Sequence, residues 1–407
     1  MEPPVRPRRR IPRFYLWILA ALATLFLLTV SSGWVLHAIA KARLERAAGS
    51  LDIERFVRPA PPPGSPGAQL LAAIASLNVS EADRDLLSET VNGGRAALLS
   101  NRPWLAALLE KNREALQAAR SLGPGESWLG IDYRERNWLP RDSYLQISLA
   151  RMLYLQGFLA LEDRDSAGVL DAIRSLGRQA AILENEPGMV IQVFALTVEK
   201  YQLRLAISYL ESGLDGPGSP APASLLVSND LRRRYRDATV LGAISSQRLL
   251  DSLAERSGGW FLTRWTARFM GAGFFDRYRL YLQSYDRDYA WIRQQLSEDP
   301  GSRRSFQEVW RSGGLDPDIL ARYKAVAASR DLVRVCQAAR KTCPGDCTLR
   351  AAGGEEYLRL FGPRERFPAP QTCTLRIMTA PGSPPQTGPA PSDRSPGTGK
   401  APSAPTP

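Results

Sequence analysis

Histidine occurs once in this chain of 407 residues, at position 37, inside a long apolar run. With no imidazole beyond that run, Ser-His-Asp and Cys-His nucleophile systems are excluded from the rest of the chain, along with most zinc sites built on histidine. His37 itself has two readings, a proton relay within a membrane or an interfacial side chain with its ring among headgroups. The run holds no second ionisable group to pass a proton to, which favours the second. The other chemistry-bearing cluster is Cys336, Cys343, Cys347 and Cys373. Their number is even and they lack paired C-x-x-C knuckles. In an oxidising compartment they are expected to form two disulfides rather than a zinc site. Cys347-Thr348-Leu349-Arg350 recurs as Cys373-Thr374-Leu375-Arg376, which suggests two short strands that a bridge would join.

Carboxylates and aromatics offer weaker signals. Asp132, Glu135 and Asp142 flank Tyr133, Trp138 and Tyr144, a mixture that would suit a glycan cleft, since glycosidases work with a pair of carboxylates. Any helical domain brings several acids together by accident, so no residue is assigned a catalytic role. Walker-type loops, a Gly-x-Gly-x-x-Gly fingerprint after a strand and calcium loops are all missing from the sequence, so no cofactor and no metal is expected. Between Trp260 and Trp291 lie eleven aromatic residues interleaved with Arg264, Arg268, Arg277, Arg279 and Arg287. They would form either a face that stacks on sugars or rests on headgroups, or a buried seam. The recurrence of Tyr278, Tyr281, Tyr285 and Tyr289 at helical spacing favours the seam. Asn78-Val79-Ser80 is a glycosylation sequon that matters only in a eukaryotic secretory route, which the arginine-rich, lysine-poor composition does not suggest.

The elements that would carry these residues begin with an anchor. The formal charge of +12 looks like a nucleic-acid signal, but half of it falls in the first fifty residues, and beyond them the longest basic run is Arg232-Arg233-Arg234. A phosphate-tracking surface is therefore not expected, and neither is a nucleic-acid partner. From Phe14 to Ala40 no charged residue occurs. At about 1.5 Å per residue the run reaches roughly 40 Å, enough to cross an apolar slab of about 30 Å. Tyr15, Trp17 and Trp34 sit near its ends, where such rings favour headgroups. Arg6, Arg8, Arg9, Arg10 and Arg13 precede it, against Lys41, Arg43 and Arg46 after it, so the N-terminus is expected to stay in the cytoplasm. A cleaved secretory signal is the competing reading, with Ala38-Ile39-Ala40 as its peptidase site, but the run is long for that purpose.

Beyond the anchor, the sequence predicts an all-α exported domain over residues 68–341. A juxtamembrane segment and proline-rich spacer (41–67, with Pro59–Gly67 extended) would lift it off the membrane. Short helices are expected at Ala68–Ser76, Glu81–Ser100 with Ser80 as cap, and Pro103–Arg120, the last burying Leu105, Leu108, Leu109 and Leu116. Asp142–Glu162 is poor in charge and should be buried nearly all round, Ser166–Glu186 is amphipathic, and Pro187 should open a third helix running to Glu211. Gly213–Ala223 breaks the pattern and would divide two subdomains. Helices resume at Ser224–Arg256, Phe274–Ser297 and Asp316–Lys341. Residues 342–378 form the cysteine-containing segment, and 379–407, rich in Pro, Gly, Ser and Thr, cannot bury enough to fold.

Gly157, Ala160, the Arg164-Asp165 turn and Pro187 resemble a tetratricopeptide-type hairpin in outline, with a small residue in the first helix and a proline after the second. The pattern departs from that repeat at Ala160, where a large aromatic is preferred, and at Val169, where alanine is. No second copy follows at a matching period. The wider layout of basic N-terminus, single span, helical domain and proline-rich tail is similar to that of uncharacterised bacterial single-pass membrane proteins. This resemblance implies a shape and no activity. The expectation is a helical scaffold or interaction protein on the non-cytoplasmic side of a bacterial inner membrane, meeting a protein or an envelope polymer. An enzyme acting on glycan with carboxylates alone is the alternative.

Overall fold

A computed structural model describes residues 13–124, 127–135, 143–214, 221–226, 230–256, 261–285, parts of 320–337, and 347–350 and 375–378. Cys336, Cys343, Cys373, Trp138, Asp142, Trp260, Tyr289, Trp291 and the tail after Ala380 lie outside the described residues. Helix dominates, with one two-stranded ribbon. In order the helices are α1 (Arg13–Ala48), α2 (Pro66–Ala75), α3 (Glu81–Ser100), α4 (Arg102–Lys111), α5 (Arg113–Arg120) and α6 (Ser143–Glu162). They continue as α7 (Ser166–Glu184), α8 (Met189–Ser212), α9 (Leu231–Arg256) and α10 (Phe261–Ser284). The strands are β1 (Cys347–Arg350) and β2 (Leu375–Met378), and they pair in parallel. Their register sets Cys347 opposite Leu375, two residues past the cysteine that the sequence echo would have placed there.

The sequence marks several boundaries through capping. Ser80 opens α3 with a reciprocal box: its Oγ accepts from Asp83 N at 3.1 Å, while Asp83 Oδ2 accepts from Ser80 N at 3.0 Å. Asp165 accepts from Gly168 N at 3.0 Å at the start of α7, and Gly213, in the left-handed region, closes α8. The helix expected over 103–120 is two helices, because Asn112 breaks it. Its buried side chain accepts from Asn78 N at 2.7 Å and donates to Asn78 O and to Leu108 O, tying the break to the loop before α3. Pro187 does not open α8 but lies in the turn before it, and α8 starts at Met189.

The core is built on α6, α7 and α8, which pack consecutively through short turns. α6 is buried on nearly every side, as its lack of charge requires. Gly157 allows the close approach: a Cβ there would stand 2.3 Å from Leu205 Cδ2 and 2.9 Å from Ala172 Cβ. α3 is pinned to α6 by Arg95, whose Nε and Nη2 each reach Glu162 at 2.7 Å. One contiguous hydrophobic cluster takes in buried residues on both sides of the break at 213–223, so that break does not divide the core.

Two findings differ from the expected outline. First, the spacer is packed. Trp128 Nε1 donates to Pro59 O at 2.8 Å, Gly130 lies against Ala60 and Pro61, and Phe56 is buried in the core. Second, α10 begins thirteen residues before Phe274. Gly271 and Gly273 lie inside it, and Gly271 lets α1 close in, since a Cβ there would stand 3.0 Å from His37 Nδ1.

α1 is, among the described residues, the helix long and apolar enough to cross a membrane. It runs eight residues past Ala40, and Gly33, His37, Ala40, Leu44 and Ala48 form a buried stripe along its second half. Gly33 faces Trp265, His37 faces Arg268 and Phe275, and Ala47 lies near Leu282 and Tyr285. Contacts therefore advance in the same direction on both helices, so α1 and α10 run parallel. α9 runs antiparallel to α10, with Ala254 near Ala267, Gln247 near Gly271 and Gly242 near Tyr278. Fully buried, Leu44 alone contributes about 1.5–3 kcal/mol to the docking of α1 on the domain.

Candidate functional site

The most unusual chemistry in the fold is a set of charges sealed inside it. Glu184 ends α7, Glu199 lies in α8, Arg234 in the first turn of α9, and Arg330 in the helical residues of 320–337. All four side chains are almost fully buried. Arg234 Nη1 donates to Glu184 Oε1 and lies 3.5 Å from Glu199 Oε2. Arg330 Nε donates to Glu199 Oε1, and its Nη2 reaches Glu184 Oε1 at 3.3 Å. Each arginine thus bridges both carboxylates.

Gln192 and Tyr323 complete the network. Gln192 Oε1 accepts from Arg234 Nε at 3.1 Å and from Tyr323 OH at 2.8 Å, while its Nε2 donates to Glu184 O at 3.0 Å and Glu186 O at 2.6 Å. Glu186 forms a second buried station. Its Oε1 accepts from Leu129 N at 2.6 Å and Gly130 N at 3.1 Å, and its Oε2 accepts from Tyr133 OH at 2.7 Å. One turn between α7 and α8 therefore fixes the loop at 127–133, α9 and the 320–337 segment.

Burial pushes the Glu184 carboxyl up to about 8, and Glu199 beside it adds to the rise, against the pull of Arg234 and Arg330. Near neutral pH the Glu184 carboxyl is therefore largely protonated. Desolvation likewise holds the Tyr133 and Tyr323 hydroxyls far above their ordinary value, so both stay protonated donors. Removing two opposite charges from water is costly, and only the mutual bridging offsets it.

A polar groove of about 390 Å³ opens over this cluster, lined among others by Arg58, Asn185, Pro187, Asp230 and Arg233. It is continuous with a second hollow that reaches Ala48, Gly49, Arg55 and Arg236 at the end of α1. Its arginines are held by neighbours: Arg55 by Asp237 at 3.1 Å, Arg236 by Ala48 O at 3.0 Å, and Arg58 over the Trp128 ring. Such a mixed-charge surface suits an extended polar partner better than an apolar small molecule.

The residues singled out in sequence fall elsewhere. Asp132 is bound by its neighbour Arg134 at 2.8 Å, Glu135 is exposed, and Tyr144 lies under Arg84, so these residues do not converge on a cleft. Tyr133 belongs to the Glu186 station. His37 is buried between α1 and α10, its Nε2 3.0 Å from Arg268 Nη1. The ionisable neighbours missing from its own helix come from α9 and α10, since Arg268 lies 3.6 Å from Asp251. Cys347 opens β1, and its three candidate partners lie outside the described residues. The basic run 232–234 divides, with Arg234 turned into the core while Arg232 and Arg233 stay exposed. Tyr278 and Tyr281 are buried, whereas Phe269 earlier on α10 is half exposed. Among the described residues no group of three His, Cys, Asp or Glu is placed to hold a metal.

The buried glutamates were missed because nothing local marks them. One signal was available: Glu199 and Arg204 lie in a helix otherwise rich in apolar residues, and a charge there requires an opposite charge from another element. No family model, no curated protein and no solved structure matches this chain.

Proposed function

We propose that this chain is a single-pass membrane protein whose helical domain stands on the non-cytoplasmic face of a bacterial inner membrane and works by binding a macromolecular partner, a protein or an envelope polymer. The observation that carries the reading is the division of α1. From Phe14 to Leu28 its described side chains are apolar or small and exposed, with no buried face, and from Gly33 onward one stripe of the same helix is buried by the domain. A helix apolar all round and bare of protein has lipid as its natural surroundings. The excess of arginine before residue 14 supports a cytoplasmic N-terminus. Ala38-Ile39-Ala40 lies within the continuous helix with Ala40 buried, which speaks for an anchor over a cleaved signal.

A binding role is supported by the open, mixed-charge groove. The glycan-hydrolase alternative needs two carboxylates facing a substrate, and Glu184 and Glu199 are instead turned toward two arginines. Alkaline phosphatase fused at Gly49 is expected to be active, and the full chain to resist alkaline carbonate extraction. A silent fusion, or a mature protein beginning near Lys41 and released by osmotic shock, would overturn the proposal.

A further inference from the structure

We infer that the tip of the α9–α10 hairpin is a second membrane contact, seated at the boundary of headgroups and acyl chains in the leaflet nearest the domain, beside α1. The inference rests on the reading of α1 as the membrane span and deepens it. Its basis is the level at which the hairpin meets that helix. Trp265 packs on Gly33, seven residues before the end of the apolar run at Ala40, so at about 1.5 Å per residue the hairpin follows the span for roughly 10 Å. That depth matches the roughly 5–10 Å to which interfacial helices sink their apolar faces.

The surface at this level has the composition such a position requires. Leu253 is 50% exposed, Leu262 52%, Phe269 51% and Met270 45%. Their neighbours Leu250, Ala254 and Ala267 are buried in a small cluster between the helices, so the exposed four form the outer face of a packed tip. This face adjoins the exposed apolar surface of α1, where Val35 and Leu36 and one side of Trp34 are exposed at the same height. Arg256 and Arg264 are exposed among these residues, with stems long enough to return the guanidinium to lipid phosphates. Arg268 is held inside by Asp251, His37 and the Trp34 ring. Glu255, exposed on the last turn of α9, lies beside Arg256 and leaves the tip with a positive balance. A second copy of the chain would also cover an apolar patch, but only lipid is continuous with the surroundings that α1 already requires.

The experiment uses the full chain in vesicles of phosphatidylethanolamine and phosphatidylglycerol, labelled in parallel by a carbene precursor carried on the lipid chains and by hydroxyl radicals from water, with mass-spectrometric readout by residue. The expected result is carbene on Leu253, Leu262, Phe269 and Met270 together with Leu22 and Leu25 of α1, loss of radical oxidation at Met270, and radical labelling of Leu99 and Tyr144, which are exposed on the domain. Carbene on α1 with radical on the four tip residues overturns the inference and leaves the anchor standing. Protection of the tip from both labels also overturns it, because a protein surface then covers the patch. Carbene on neither segment overturns the anchor and the inference together.

Discussion

Replacing Glu184 by Gln tests the buried charge network through its pH dependence. A carboxyl whose proton affinity is raised in the folded state binds that proton more tightly folded than unfolded. It therefore favours folding while protonated, and the advantage fades as pH climbs from the ordinary value toward the folded one. For Glu184 that window runs from 4.5 to about 8. Each tenfold change in proton affinity is about 1.4 kcal/mol, so the window carries at most about 5 kcal/mol. Groups that titrate in both proteins, Asp83 and Asp132 among them, cancel in the difference between the native protein and the variant. Urea midpoints of the full chain in nanodiscs, taken from pH 5 to pH 8, should fall more steeply for the native protein than for Glu184→Gln. The variant should match the native protein near pH 5 and exceed it at pH 8. Parallel slopes for the two proteins would refute the raised proton affinity of Glu184.

Gly157→Ala, which in an open helix would stabilise by about 1 kcal/mol, should instead cost about 1–3 kcal/mol, because the new methyl meets Leu205 and Ala172. A raised melting temperature would show that α6 and α8 have room to part. Asn112→Ala leaves Asn78 N and O without their side-chain partners, and a cost of about 1–3 kcal/mol should register as faster amide exchange at Asn78. Tyr281→Ala opens a cavity in the buried half of α10 and should cost about 3–5 kcal/mol, read as a loss of folded yield, whereas unchanged melting would place Tyr281 on a surface.

What the sequence disclosed and what it hid divide along the range of the forces involved. Ser80 and Asp83 act within one turn, so the start of α3 was legible to the residue. The continuous apolarity of α6 likewise announced a helix buried on all sides. Legibility failed where a local signal served a distant contact. The helix expected from Phe274 begins at Phe261 and runs through Gly271, which is small because His37 of α1 lies against it, more than two hundred residues away in the chain. The prolines at 59–63 read as a stiff spacer, yet their partners are Trp128 and Gly130. The charge cluster draws on positions 184, 199, 234 and 330, which share no spacing. Neither Glu184, in the amphipathic stretch at 166–186, nor Arg234, in the basic run at 232–234, carries a local mark of burial, and it is the packing of α8 and α9 that turns both inward.

The continuity of α1 bears on what kind of membrane protein this would be. A domain tethered by a loose linker samples many orientations, and its anchor adds only local concentration. Here Leu44, Ala48 and Phe56 are buried with the core, the 59–63 segment is pinned by Trp128, and Arg236 donates to the last carbonyl of α1. Removing α1 would therefore strip apolar cover from α10 as well as detach the domain. If α1 spans the bilayer, the groove beside Arg55, Arg58 and Arg236 is held at a fixed height and angle above the membrane, close to the headgroups. A partner would then have to reach the groove at that height. Such rigidity would favour a partner that is itself positioned by the envelope, because a fixed geometry lowers the orientational cost of each encounter.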